Sequence, residues 1–294
     1  MAKTRATDDT ALFRSFPAGS PERRAAALRL VGSAMLPDVL AAAIEELADE
    51  PDGEVRAALL ARYEACISDP ARRDSGCYVR AALLQALRPI TMPVDRPLLE
   101  RAIATYEYLP PGRSEVAAGL RAAAVIALNE IDPVLAAHHS ARLLWDARTS
   151  QMSGEPAVTA ASLLGSQEQT IPLYAYVSQT DPPNAEVIGA CLRNLIALPR
   201  SLLPGVLSTF REHDDEIVVL GLSDLALAHP ARDLCTPVVL ELLNRRLPNL
   251  FRYLVLAIRA SRQDALIGEL KRLAREERDP FRAEILREAL EPTR

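Results

Sequence analysis

The residues able to do chemistry are few and scattered. The chain contains four histidines, His138, His139, His213 and His229, and four cysteines, Cys66, Cys77, Cys191 and Cys235. His213 lies in "REHDDE" beside Asp214, Asp215 and Glu216. Carboxylates in such a cluster could hold Ca²⁺ or Mg²⁺. The same residues also read as the acidic start of a helix, which the helix dipole favours. His138 and His139 are adjacent in a helical segment and so point about 100° apart. His138 falls near the stripe Val134, Ala137, Ala141 and Trp145, and is expected to be packed. No two cysteines form a Cys-x-x-Cys pair, so the thiols are expected to be reduced and in helix cores. "GLSDL" at 221–225 puts Leu225 where a hydrolase elbow needs glycine. There is no GxGxxG, no P-loop Gly-Lys pair and no HExxH. These residues assign no catalytic, cofactor-binding or metal-binding position, and no cofactor is expected.

The elements that would have to position any site are helices. Aromatics make up only 4% of the 294 residues, while Ala and Leu are abundant. Ala and Leu favour helix, whereas strands favour β-branched and aromatic residues. The net charge of −5 gives no electrostatic reason to expect nucleic acid. Lysine occurs only at Lys3 and Lys271, which reads as a GC-rich, bacterial coding bias. Charge is uneven. Residues 38–54 carry seven acids and no base, whereas the segment from 245 onward carries arginines interleaved with acids. That end could face an anionic partner, but a solvated cap explains it more simply.

The N-terminus "MAKTRATDDTALFRSFP" lacks the apolar core of a signal peptide. The longest uncharged runs, 156–167 and 169–180, are 12 residues each. A membrane-spanning helix needs about 20 apolar residues. A cytoplasmic protein without a membrane segment is expected.

The hexapeptide "VRAALL" occurs twice, at Val55–Leu60 and Val79–Leu84. Val55, Leu59, Tyr63 and Cys66 form one apolar stripe at helical spacing. Val79, Leu83, Ala86 and Ile90 are expected to form its counterpart. Weaker versions follow, anchored at Leu120, Val158, Val187, Ile217, Phe251 and Phe281. Between anchors lie second helices that often open on proline: "PVDRPLLERAIATYEYL" from Pro93, "PVLAAHHSARLLWD" from Pro133 and "IPLYAYVSQ" from Ile171. Proline suits a first helical turn, where its missing N–H would lack a partner anyway. A helix pair recurring every ~30–40 residues predicts an α-solenoid. "SGEP" at 153–156 and "DPPN" at 181–184 read as turns between pairs.

Through "DGEVRAALLARY", "GCYVRAALLQAL" and "LRAAAVIALNEIDPVLAAHHSARLL", the chain resembles the HEAT-repeat superfamily, in particular the short bacterial repeats also found in phycobilin lyases. The resemblance is sharp across about 52–145 and spans roughly 20–292. It implies an all-α, HEAT-like solenoid, a right-handed superhelix of stacked antiparallel helix pairs. Residues 1–20 would be a flexible tail. Residues 21–294 would form one domain of about seven pairs with a C-terminal capping helix. In the family, an Asp ahead of the Val-Arg pair and the Arg itself link adjacent repeats. Asp52 with Arg56 matches this, and Asp74 with Arg80 does so at a longer spacing. Asp52, Arg56 and Arg80 are therefore candidate inter-repeat ties. Thr159, Ile188 and Val218 stand where the later repeats lack the Arg.

Such a fold implies a non-catalytic, protein-binding surface serving a scaffold, adaptor, chaperone or neutralising partner. Helical phase places Arg101 and Tyr108 on one exposed face, His139 and Arg142 on the next second helix, and Tyr176 on the following one. Tyr and Arg are typical binding anchors. The alternative is a HEAT-class enzyme or ligand carrier, such as a chromophore lyase or a DNA base-excision glycosylase. The iron-binding hydroxylases of this class need His-Glu pairs, and the chain has none. "WD" at 145–146 invites the glycosylase comparison, but the negative charge and the lack of a second Trp oppose it.

Overall fold

The computed structural model describes residues 10–34, 37–110, 114–179, 184–245 and 247–291. Among them the chain is all-helical apart from one two-residue hairpin. Contacts gather it into two compact units, one of residues 1–150 and 155–160, the other of 151–154 and 161–294. No linker-like composition marks this division in the sequence.

The first unit holds α1 (Pro21–Ser33), α2 (Pro37–Ala48), α3 (Gly53–Ser68), the single turn α4 (Pro70–Arg73), α5 (Tyr78–Leu87) and α6 (Arg96–Ile103). The hairpin β1 (Tyr108–Leu109) and β2 (Ser114–Glu115) follows, then α7 (Ala118–Ile131) and α8 (Pro133–Leu143). Helices α1, α3, α5 and α7 touch one another in that order, and α2, α6 and α8 pack beside α1 and α7. Alanines at 122, 123, 124 and 127 let neighbours approach α7 closely, and all four are buried. Helix α9 (Ala157–Ser166) carries the chain onward.

The second unit contains α10 (Thr170–Val177), α11 (Ala185–Arg193), α12 (Leu203–Phe210), α13 (Glu216–Ala228), α14 (Arg232–Leu243), α15 (Pro248–Ser261), α16 (Asp264–Glu276) and α17 (Pro280–Leu290). Here α11, α13, α15 and α17 touch in sequence, while α10, α12, α14 and α16 pack beside them. The eight hydrophobic anchors read from the sequence fall one each on α3, α5, α7, α9, α11, α13, α15 and α17.

Local chemistry explains the helix starts. Asp52, Asp132, Asn184, Asp215 and Asp279 each accept backbone N–H groups of the first turn. Such caps contribute about 1 kcal/mol apiece. Pro21, Pro133, Pro248 and Pro280 occupy first-turn positions, as expected for a proline-rich helical chain.

Four expectations need correction. Residues 10–15 are helical, and Phe13 is buried beneath the Arg23 guanidinium, so 10–20 is not a loose tail. Residues 1–9 lie outside the described residues, as do 181–183 of the "DPPN" turn. The helix from Pro93 does not reach Tyr108. It ends at Ile103, and Tyr108 sits on β1 opposite Glu115. The stripe of the second "VRAALL" is shifted: Leu83 and Ala86 are buried as expected, but Arg80, Leu84 and Leu87 are buried with them, Val79 is only partly buried, and Ile90 lies in the 3-10 turn beyond the helix. Finally, α8 buries Ala136, Ser140 and Leu143, leaving Val134 and Trp145 exposed at 83% and 49%, and His138 exposed. Turning the helix this way buries Leu143 and Leu144, each worth about 1.5–3 kcal/mol, while Val134 and Trp145 stay at the surface.

Candidate functional site

A cleft of about 500 Å³ lies in the first unit. Its walls are the end of α6, the strand β1, and the last turn of α8 with the chain that follows. Tyr106, Tyr108 and Trp145 line it, and these residues are 45%, 46% and 49% exposed. In a chain with so few aromatics, three half-exposed aromatic residues gather around this one cleft. Arg142, Arg148, His139, Glu100 and Asp146 supply the polar lining.

One buried arginine assembles these walls. Arg121 of α7 has no exposed surface, the largest side chain so enclosed among the described residues. Its Nη1 donates to the Thr105 carbonyl at 3.0 Å and to Glu115 Oε1 at 2.8 Å, and its Nη2 donates to Glu115 Oε2 at 3.0 Å. Nε lies 3.1 Å from Asp146 Oδ2, a charge contact without hydrogen-bond alignment. The guanidinium also stacks 4.2 Å from the Tyr106 ring centre, and Tyr106 donates its hydroxyl proton to Asp146 Oδ2 at 3.2 Å. The Thr105 carbonyl thus goes to Arg121, and the chain leaves α6 for the hairpin. A single cation ties together α6, β2 and the turn after α8.

Arg80 has the corresponding role on helix α5. It is 4% exposed, donating to Asp74 at 2.5 Å and to Glu107 at 2.6 Å. Asp74 also accepts the backbone N–H groups of Val79 and Arg80, so it caps α5. Arg56 bridges to Asp95 in the 3-10 turn ahead of α6. Asp52 caps its own helix and pairs with Arg24 of α1 rather than with Arg56. The three proposed ties thus join separate segments of the first unit. Sequence reasoning overlooked Arg121, although it follows the Leu120 anchor as Arg56 and Arg80 follow theirs.

The proposed surface anchors divide. Tyr108, His139 and Arg142 line the cleft. Arg101 instead faces a separate cavity of about 330 Å³ with Tyr63, Arg80 and Glu107. Tyr176 is 4% exposed, so it is a core residue of the second unit and not an anchor. Burial lifts its hydroxyl pKa to about 12.

The remaining reactive groups have structural partners. His213 Nδ1 accepts from the Asp215 N–H, and Asp215 caps α13, so "REHDDE" is a helix start. His229 is buried, with Nδ1 accepting from Ala231 N–H and Nε2 2.9 Å from the Leu198 carbonyl, which makes Nε2 the protonated nitrogen. Ser223 of "GLSDL" donates to the Val219 carbonyl inside α13. The four cysteines are free and buried. Burial and a bond to Glu107 raise the Cys77 thiol to about 12, so it stays protonated at neutral pH. Asp146 of "WD" is held by Arg121 and Tyr106, which leaves it no freedom to act on a base. Among the described residues, no group of His, Cys, Asp and Glu is arranged to hold a metal.

Comparison with known proteins finds no match: no family model, curated protein or solved structure corresponds to this chain. Its function rests on its own geometry.

His139 gives the cleft a pH dependence. Its Nε2 is buried without a hydrogen bond, 3.7 Å from Glu100 Oε1. Burial, followed by the neighbouring His138 charge, lowers its pKa below the ordinary 6.5, while Glu100 acts the other way. The folded state therefore prefers neutral imidazole. That preference stabilises the fold above pH 6.5 and is lost as pH falls through the lowered folded value. In thermal unfolding at pH 7.5 and 5.0, the wild type should lose more stability on acidification than His139→Gln. Equal losses would show that His139 protonates freely.

Proposed function

We propose that the protein is a non-catalytic, protein-binding helical-repeat scaffold, each unit being a HEAT-like stack of helix pairs, and that the aromatic–arginine cleft is its principal contact point. The observation that carries this reading is the gathering of Tyr106, Tyr108 and Trp145 with Arg142 and Arg148 at one cleft. Aromatic and arginine side chains dominate binding hot spots because they combine large area with directional polar groups. The repeat reading draws support from the anchors on alternate helices and from the arginines that follow the first three of them. Four free, buried thiols favour a reducing compartment such as the cytoplasm.

A second reading has its own observation. The cleft volume lies within the range of small-molecule sites, and His139 with Glu100 places an ionisable pair beside aromatic rings. Under it the protein is a HEAT-class ligand carrier or enzyme of the chromophore-lyase kind.

Affinity capture from a lysate of the source organism, with wild-type and Trp145→Ala baits of matched helicity, separates the two. The scaffold reading expects a protein recovered by the first bait and lost by the second. Unchanged recovery, or turnover of a small molecule with no protein captured, overturns it.

A further inference from the structure

We propose that the cleft takes an acidic, aromatic-containing peptide segment, with a partner carboxylate held between Arg142 and Arg148 and a neighbouring aromatic side chain laid against Trp145 and Tyr108. This rests on the protein-binding reading above and specifies its ligand.

Among the described residues, Arg142 and Arg148 have no carboxylate within 4.0 Å, whereas Arg56, Arg80 and Arg121 are all paired. Arg148 instead lies 5.9 Å from the Tyr108 ring centre, close enough for a cation–π attraction that pre-positions its fork. A guanidinium fork matches a carboxylate with two parallel hydrogen bonds. The cleft acids have partners of their own: Asp146 accepts from Tyr106 and lies against Arg121, and Glu100 pairs with Arg96 at 3.4 Å.

Size and exposure narrow the ligand further. Two unpaired cations beside Glu100 suit an isolated carboxylate. They do not suit a nucleic-acid backbone, which needs a longer run of positive charge than a chain of net charge −5 offers here. A small aromatic acid is also disfavoured. Small-molecule sites bury about 70–90% of their ligand, yet all three aromatic residues here are nearly half exposed. A peptide covers such a surface by crossing it, placing alternate side chains into the arginine and aromatic portions.

Trp145 is the chain's single tryptophan, so its emission reports on the cleft directly. The probes are a terminally blocked peptide alternating Glu and Phe, its Gln-for-Glu counterpart, its Ala-for-Phe counterpart, and phenylacetate. The expected result is a saturable change in Trp145 emission with the Glu/Phe peptide, at least tenfold tighter than with the Gln or Ala versions or with phenylacetate. The preference for Glu over Gln should shrink at high salt. It should vanish in Arg142→Ser/Arg148→Ser, whose thermal stability should match wild type because both side chains are exposed, and persist in Arg101→Ser. Equal affinity for the Glu and Gln peptides, no emission change, undiminished preference in the double variant, or phenylacetate binding as tightly as the peptide would each overturn the proposal. If the peptides fail while lysate capture still requires Trp145, the carboxylate assignment falls and the scaffold reading stands. If both fail, both fall.

Discussion

Replacing Arg121 with methionine should lower the unfolding free energy of the first unit by about 3–5 kcal/mol, the usual cost of removing one member of a buried ion pair. Methionine fills much of the same volume, so the loss is electrostatic more than steric. It leaves Glu115 and Asp146, whose side chains are 8% and 4% exposed, without their cation. It also strands the Thr105 carbonyl and releases the face of Tyr106. Arg121→Lys should recover little, because an ammonium cannot grip both Glu115 oxygens while also stacking on a ring. The decisive variant is Arg121→Met combined with Glu115→Gln and Asp146→Asn. Removing the orphaned charges should restore some of the loss, since buried ion pairs are costly to break but not to replace whole. Denaturant unfolding followed by Trp145 emission measures each value. A cost below about 1 kcal/mol for Arg121→Met would mean that water or a shifted side chain replaces the guanidinium.

The same network shows what the sequence could convey. Asp74 precedes Arg80 by six residues, and Glu115 precedes Arg121 by six. In both pairs the acid also accepts a backbone N–H near the start of the helix, from Val79 and from Ala117. The anchor alignment already held this signal, since Arg56, Arg80 and Arg121 each directly follow an aligned apolar anchor. What the residues could not convey was rotation. The two copies of "VRAALL" are identical, yet Leu60 is partly exposed and Leu84 fully buried. Each copy meets different neighbours, and in the second copy Arg80 is buried in ion pairs with Asp74 and Glu107. Helix α8 was ambiguous for a related reason. It carries two apolar stripes about one residue apart in phase, and only tertiary packing chooses between them. The hairpin was missed despite "LPPG" at 109–112, a strong turn signal, because the preceding "RAIATYEYL" keeps helical spacing. The cleft depends on both of these features. Helical phase put Tyr108, His139 and Arg142 on exposed faces, and all three line the cleft, but the cleft's geometry was not legible.

Gly221→Ala should destabilise the second unit by about 2–3 kcal/mol, although alanine is the better helix former by about 1 kcal/mol. Helices α11 and α13 pack so closely that a Cβ at Gly221 would lie 2.3 Å from the Gly189 carbonyl oxygen and 2.7 Å from its Cα. A Cβ at Gly189 would meet the Ile217 carbonyl oxygen at 2.8 Å. These are backbone atoms, so no side chain can swing aside. The helices themselves would have to part by about 1 Å to regain ordinary van der Waals distance. That opens gaps around Val187, Cys191, Val218 and Leu222, all fully enclosed. Gly268→Ala provides the control. It lies exposed on α16 with nothing within 4 Å of the added methyl, so it should stabilise by about 0.5–1 kcal/mol. One chemical change thus acquires opposite signs from packing alone. Gly189→Ala and Gly221→Ala together should cost less than the sum of the two, because one separation of the helices accommodates both methyls. Chemical unfolding followed by far-ultraviolet circular dichroism measures all four variants. Stabilisation by Gly221→Ala, or strict additivity with Gly189→Ala, would mean that the two backbones do not touch here.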